Sequence, residues 1–488
     1  MHFPSASPHP LCRRHKRTFT RFLSPLIGAA LLALSPLTLV AAEKASSAIG
    51  PRPNIVLIVT DDQGYGDCSS FWETDMQTPF MDEIGRNGVR FTQFRANPLC
   101  APTRASIMTG LYSLEAGMWR GPGATARGKE PPGGWPADER RITDDVVMLP
   151  QLLKKAGYAT GMFGKWHLGY DERNVPNARG FDQFVGFLGG AHPYWLRANS
   201  RIEENGKPLK IEGHTTDVFA DRAIEFIRAN RERPFFCYLP FNAVHGPLRN
   251  AERDADSARP EWLEYYEKRG VAQPRRDYNA VMTHADHRIG DVLKTLHELG
   301  LEKNTLVVCV SDNGGILHSF PSNNGPLRGG KGDAYEGGIR VPAVMQWPGV
   351  IPAGIVSRAD AVHFDLFATV LEAARVPVPK RNGKHAVHGV SLLPHLRSKT
   401  ATPLPDRYLF WDLYGQCGAL HGKWKLAGEI GNHHGRFADA ARDAEKTPFE
   451  LYDLEADVGE KNDLATKFPE IYADLKKRHL DWLRQFAR

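Results

Sequence analysis

Four short apolar runs that stop abruptly in polar clusters set the expected fold. They are Asn54–Thr60 (NIVLIVT) ahead of Asp61-Asp62, Tyr158–Phe163 ahead of Gly164-Lys165-Trp166-His167, Pro234–Ala243 ahead of Val244-His245, and Thr305–Ser311 (TLVVCVS) ahead of Asp312-Asn313. Unbroken apolar runs of that length read as strands buried on both faces. Helical spacing lies between them: Leu149–Ala156, with Pro150 in the first turn and Gly157 as the stop, Asp217–Asn230, and Asp277–Leu299, stopped by Gly300. Strands alternating with helices predict an α/β fold, a large mostly parallel sheet sandwiched by helices. Ligands bind such sheets beyond the carboxyl ends of the strands. All four polar clusters fall at that edge, so residues as distant in sequence as Asp61 and Asp312 can share one site.

From about Tyr408 the texture changes to short alternating runs (YLFWDLY, GKWKLAG, FELYDLE) and then to an amphipathic stretch, Pro469–Phe486. This predicts a smaller C-terminal α+β subdomain, residues 400–488, with antiparallel strands and a terminal helix. A Pro-, Gly- and His-rich junction, Arg375–Thr402, separates it from a larger N-terminal domain spanning residues 50–395. Two Gly/Pro-rich insertions, Trp119–Ile142 and Gly186–Ser200, read as long surface loops.

The first 42 residues stand apart. Arg13, Arg14, Lys16, Arg17 and Arg21 precede an apolar run from Leu26 to Val40, interrupted by Pro36 and followed by Ala41-Ala42. That is the pattern of a cleavable signal peptide, and the apolar run is too short for a comfortable membrane span. A secreted or periplasmic protein without a stable membrane anchor is expected. Removing these five basic residues lowers the formal net charge from +6 to +1. No Lys/Arg block then remains to argue for nucleic acid or an anionic membrane surface. Of the six cysteines, Cys12 lies in the signal segment, and the spacings of Cys68, Cys237, Cys309 and Cys417 fit no disulfide framework. Cys237 and Cys309 sit in apolar strand-like runs, where buried free thiols are common.

The sharpest local signal is Cys100-Ala101-Pro102-Thr103-Arg104-Ala105-Ser106, continuing to Thr109-Gly110. Pro102 suits the first turn of a helix, which puts residue 100 near a helix N-terminus, where backbone N–H groups favour negative charge. Arg104 lies about one turn on and can face the same anion. This segment resembles the type I sulfatase family of the alkaline phosphatase-like superfamily, in which a C-x-P-x-R cysteine is oxidised by a maturation enzyme to formylglycine (3-oxoalanine). Such a resemblance implies an alkaline phosphatase-like sheet, a formylglycine-generating partner, and sulfate monoester hydrolysis with Cys100 as the precursor of the nucleophile.

Asp61-Asp62 and Asp312-Asn313 supply three carboxylates and one amide oxygen from two strand ends. An all-oxygen set suits a hard divalent cation, calcium first and magnesium second. The resemblance implies calcium at these four positions, with residue 100 beside the ion. It also carries over Lys165 and His167 from Gly164-Lys165-Trp166-His167-Leu168-Gly169, Lys331 from Gly329-Gly330-Lys331-Gly332, and His245 from Asn242-Ala243-Val244-His245-Gly246-Pro247. In the mechanism so implied, the hydrated aldehyde attacks sulfur, with Asp312 holding or accepting its proton. Calcium, Arg104, Lys165 and Lys331 neutralise the sulfate, His245 or Lys331 protonates the leaving alcohol, and His167 is the base for the second step.

Two other readings use the same residues: a phosphonate monoester or phosphodiester hydrolase of that superfamily, and a catalytically inactive glycan-binding relative. A generic zinc hydrolase is disfavoured by the lack of H-E-x-x-H or C-x-x-C spacing. Export favours a sulfated carbohydrate as substrate. Trp195, His192, His318 and Trp411 are candidates either for sugar contact or for packing the loops.

Overall fold

A ten-stranded sheet organises most of the N-terminal three-quarters of the chain. The computed structural model describes residues 51–487, apart from 120–140, 198–199, 247, 251–254, 319, 398–401 and 432–436. The expected signal peptide and nearly all of the insertion at 119–142 therefore lie outside the described residues. The strands are β1 (Asn54–Thr60), β2 (Val89–Phe91), β3 (Ala159–Lys165), β4 (Gln183–Phe187), β5 (Glu203–Glu204), β6 (Lys207–Pro208), β7 (Phe235–Pro240), β8 (Thr305–Ser311), β9 (Ala343–Gln346) and β10 (Ile355–Ser357). Their order is β10-β2-β9-β8-β1-β7-β3-β4-β5-β6.

The five central strands, β8 to β4, are parallel. Outside them β9 and β5 run against the core: β9 is antiparallel to both β8 and β2, β10 is parallel to β2, and β5 is antiparallel to both β4 and β6. The sheet is thus mixed, with the expected parallel core. Its edges depart from that core because short returns such as Glu203–Pro208 turn back without a crossover helix.

The apolar runs are continuous because each central strand faces two cores. On β1, Ile55, Leu57 and Val59 pack in one hydrophobic cluster, and Val56 and Ile58 in another. The first is covered by residues of α2 (Cys100–Thr109), α3 (Leu149–Lys155) and α6 (Asp365–Ala373). The second is covered by α1 (Pro79–Arg86), α4 (Thr215–Ala229) and α5 (Arg275–Glu298). Fully burying each such aliphatic side chain contributes roughly 1.5–3 kcal/mol, so the five aliphatic positions of β1 favour this one placement.

Four antiparallel strands, β11 (Leu409–Leu413), β12 (Gln416–His421), β13 (Trp424–Glu429) and β14 (Glu450–Asp453), form the C-terminal sheet. The final helix α7 (Pro469–Arg484) lays Leu475, Leu480 and Leu483 against it. This unit clamps the segment that follows Lys331. Lys425 lies 3.0 Å from Glu336 and 2.9 Å from Glu460, and Arg95 bonds Glu336 at 2.9 Å, with all of these groups buried.

Two expectations from sequence change. The stretch Gly186–Ser200 is not a free surface loop: Gly186 and Phe187 end β4, Trp195 and Leu196 pair with Gly213 and His214, and Tyr194 is buried. Trp411 is no sugar contact either. It is buried in the C-terminal core, and its indole N–H donates to the carbonyl of Ala96 at 2.9 Å. Half-buried Trp195 packs edge-on against His214, and His192 packs against Phe187. His318 is exposed. The cysteines 68, 100, 237, 309 and 417 are all buried free thiols, and among the described residues no helix is long and apolar enough to cross a membrane.

Candidate active site

Register brings the polar strand ends together. Thr60 of β1 pairs with Ser311 of β8, so Asp61 and Asp312 leave the sheet side by side, and the amide of Asp312 donates to the carbonyl of Thr60 at 3.1 Å. Lys165 ends β3, and His245 follows β7. Each of the ten residues expected at the site is found in this region.

Cys100 is the first residue of α2. Leu99 is extended, Pro102 sits in the first turn, and Gly110, in the left-handed region at φ 73°, stops the helix. Every residue of α2 is buried, which fixes the direction of its N-terminus. Arg104, one turn along, donates from Nε at 2.9 Å and Nη2 at 2.7 Å to Oδ2 of Asp312, and from Nη1 to the carbonyl of Lys165 at 3.0 Å. Its guanidinium is therefore committed to orienting Asp312 and the end of β3.

Donor atoms of Asp61, Cys100 and Asp312 lie within 4.8 Å of one another, as do those of Asp61, Asp62 and His245. Lys165 Nζ is 2.5 Å from Oδ2 of Asp61, and Lys331 Nζ is 2.6 Å from Oδ1 of Asp62. The Asn313 amide donates to Oδ1 of Asp62 at 2.8 Å, and His245 Nε2 stands 3.7 Å from Oδ2.

Three buried oxygens in this cluster have no hydrogen-bond partner among the described residues: Oδ1 of Asp61, Oδ2 of Asp62 and Oδ1 of Asn313. Leaving buried acceptors unsatisfied is costly, more so on carboxylates. Partnerless oxygens on three of the four residues read as a metal set are what an oxygen-seeking divalent cation would satisfy. The donor set therefore fits calcium.

The electrostatics are those of a crowded, dry site. Burial pushes Asp61 up to about 6 against the pull of Lys165, and pushes Asp312 up to about 6 with Asp61 adding to it. Asp62 is equally buried, yet Lys331 and His245 hold it below the usual carboxylate range. Burial also works to raise the Cys100 thiol, but Lys165 and Lys331 outweigh it and hold the thiol below its ordinary value. His167 is kept neutral, well below the usual imidazole range, by burial and by Lys165 and Arg104. Burial likewise lowers His245.

Several contributors were not legible in the sequence. The Tyr194 hydroxyl lies 2.9 Å from the carbonyl oxygens of both Asn242 and His245, sharing its proton between them, and so fixes the loop that presents His245. Behind Asp62, the Tyr278 hydroxyl sits 3.1 Å from its carbonyl oxygen and 2.8 Å from Oδ2 of buried Asp67, which Arg275 pairs at 2.6 Å. An aspartate in Gly64-Tyr65-Gly66-Asp67 reads locally as a turn residue. Gly190 faces the His167 ring, where a Cβ would stand 2.7 Å from Nε2 and Cε1.

Comparison with known proteins places the chain in a family. A family model for sulfatases matches residues 53–376, and one described as N-sulphoglucosamine sulphohydrolase, C-terminal, matches residues 331–485. Human (Homo sapiens) N-acetylgalactosamine-6-sulfatase is 34% identical over 409 residues, covering 79% of this chain and 71% of that protein. Human arylsulfatase A is 29% identical over 496 residues, covering 91% and 90%. Among solved structures, Ps i-CgsB in complex with k-i-k-neocarrahexaose is similar with a TM-score of 0.76 and 28% identity, covering 88% of this chain and 93% of that one. The chain belongs to the sulfatase family of the alkaline phosphatase-like superfamily. It is a hydrolase of sulfate esters.

Proposed function

We propose that this protein removes sulfate from a sulfated carbohydrate, using residue 100, oxidised from cysteine to formylglycine, beside a calcium ion held by Asp61, Asp62, Asp312 and Asn313. One observation carries the reading: the helix-terminal Cys100 has its donor atom within 4.8 Å of those of Asp61 and Asp312, and Asp61, Asp62 and Asn313 bear buried oxygens without partners among the described residues. The names of the relatives, one an N-acetylgalactosamine-6-sulfatase and one solved with a neocarrahexaose, support a sugar as the alcohol half.

Calcium would supply charge neutralisation for the sulfate oxygens, and the hydrated aldehyde two hydroxyls on one carbon, one to attack sulfur and one to expel the sulfate afterwards. The chain's own groups do the rest. Lys165 and Lys331 bring positive charge to the sulfate and orient it. Arg104 acts through Asp312, fixing the carboxylate that accepts the attacking hydroxyl's proton. His245, at the open side, delivers a proton to the leaving oxygen, with Lys331 as the other candidate donor. His167, neutral in this environment, is suited to accept a proton in the second step.

Mass spectrometry of the peptide containing Cys100, with Cys100→Ala kinetics on an aryl sulfate, tests the nucleophile. An unmodified thiol in fully active enzyme, or full activity in the Ala variant, would overturn it. Comparing an aryl phosphodiester with an aryl sulfate tests the bond cleaved, and a panel of sulfated sugars tests the substrate class.

A further inference from the structure

A second polar cluster lies inside the C-terminal unit. Asp412 and Cys417 sit directly opposite each other on β11 and β12, and the Cys417 thiol donates to Oδ2 of Asp412 at 3.4 Å. His479 enters from α7, and one donor atom from each of the three residues lies within 4.8 Å of the others. All three are buried, Cys417 and His479 completely. Phe410, Phe449 and Trp482 ring the imidazole. Neither ring nitrogen of His479 has a hydrogen-bond partner among the described residues.

A core position on an amphipathic helix calls for Leu or Phe. An imidazole there with both nitrogens unsatisfied costs stability unless something takes up a lone pair.

We propose that Asp412, Cys417 and His479 bind one borderline-soft divalent cation, zinc foremost. Sulfur, imidazole nitrogen and carboxylate oxygen together form a zinc donor set, unlike the all-oxygen set at the strand ends. With zinc bonds of about 2.0–2.3 Å, tetrahedral donors stand roughly 3.3–3.8 Å apart. The sulfur–carboxylate separation of 3.4 Å already has that value. On binding, the Cys417 S–H bond breaks, the zinc–sulfur bond forms, and the proton leaves to solvent. A thiolate and a carboxylate around Zn2+ give a neutral cluster, which an apolar surround tolerates far better than a net charge. The ion staples α7 to the sheet that carries Lys425, and through Lys425 to Glu336 beyond the Lys331 loop. This site is independent of the reaction at Cys100.

Elemental analysis of purified protein, equilibrated with zinc and then dialysed against a calcium-selective chelator, tests the assignment. About one zinc per chain is expected in the wild type, falling at least about tenfold in both Cys417→Ala and His479→Ala. A wild type at the buffer blank, or retention by either variant, overturns it. Should a variant fail to fold, cobalt(II) titration of the Cys100→Ala protein decides, since it lacks the thiol of the other metal cluster. A thiolate-to-cobalt charge-transfer band is expected, and a spectrum without it overturns the proposal. Zinc should also raise the thermal midpoint of the wild type by several degrees, at least about 3 °C.

Discussion

The ammonium of Lys331 lies 2.6 Å from Oδ1 of Asp62, and the other oxygen of that carboxylate turns toward His245. A loop cation and a strand-end anion are thereby locked beside residue 100. Lys331→Ala should lower kcat/KM on an aryl sulfate by about 100- to 1,000-fold, the cost of losing one preorganised charge at a developing anion. Steady-state kinetics check this, with far-UV circular dichroism expected to be unchanged.

Metal removal should act on the same cluster. Treatment with a calcium chelator should cut activity at least about tenfold, and added calcium should restore it better than magnesium, because the donors are all oxygen. Asp312→Asn should raise the calcium concentration needed for half-maximal activity, since it removes a charged donor and weakens the pair with Arg104.

Gly190 is required by the His167 ring rather than by its own backbone. Gly190→Val should displace the ring and lower kcat by at least about tenfold, while the denaturation midpoint stays close to wild type. The ratio of kcat to stability loss, measured together, distinguishes displacement from unfolding.

The buried ions joining the C-terminal unit to the Lys331 segment predict a stability effect. Lys425→Met leaves Glu336 and Glu460 facing each other without their shared cation. Unfolding free energy should fall by about 3–5 kcal/mol. The double variant Lys425→Met/Glu460→Gln should recover part of it, read by urea denaturation.

Acid sensitivity follows from His363. It is buried, with Nε2 3.1 Å from the Asn97 amide, and burial lowers its pKa to about 3. The unfolded chain, titrating near 6.5, binds the proton first, so stability is fully present above about pH 6.5 and is lost as pH falls toward 3. Between pH 6.5 and 5 this amounts to about 2 kcal/mol. Denaturation of wild type and His363→Gln at pH 7 and 5 should show that much less pH dependence in the variant.

The β-strand ends and the Cys100 motif were readable because each is a local pattern. A strand buried on both faces, like Asn54–Thr60, must be apolar throughout, and its first polar residues mark where it leaves the core. Pro102 and Gly110 likewise punctuate their helix in place. The Gly186–Ser200 stretch was misread because its buried anchors, Phe187 and Tyr194, are scattered among glycines and carry no periodicity.

Runs and motifs a few residues long already announce an α/β sheet with a smaller C-terminal unit and the resemblance to the sulfatase family, from which ten site residues are expected. Folding sets the pairings that no local pattern carries: Arg104 on Asp312, Lys331 on Asp62, the Trp411 indole on the Ala96 carbonyl, and His479 beside Cys417 and Asp412. The physical reason is that periodicity along a chain records how much of a side chain is buried. The partner it finds there is set by strand register and loop closure across residues far apart in sequence.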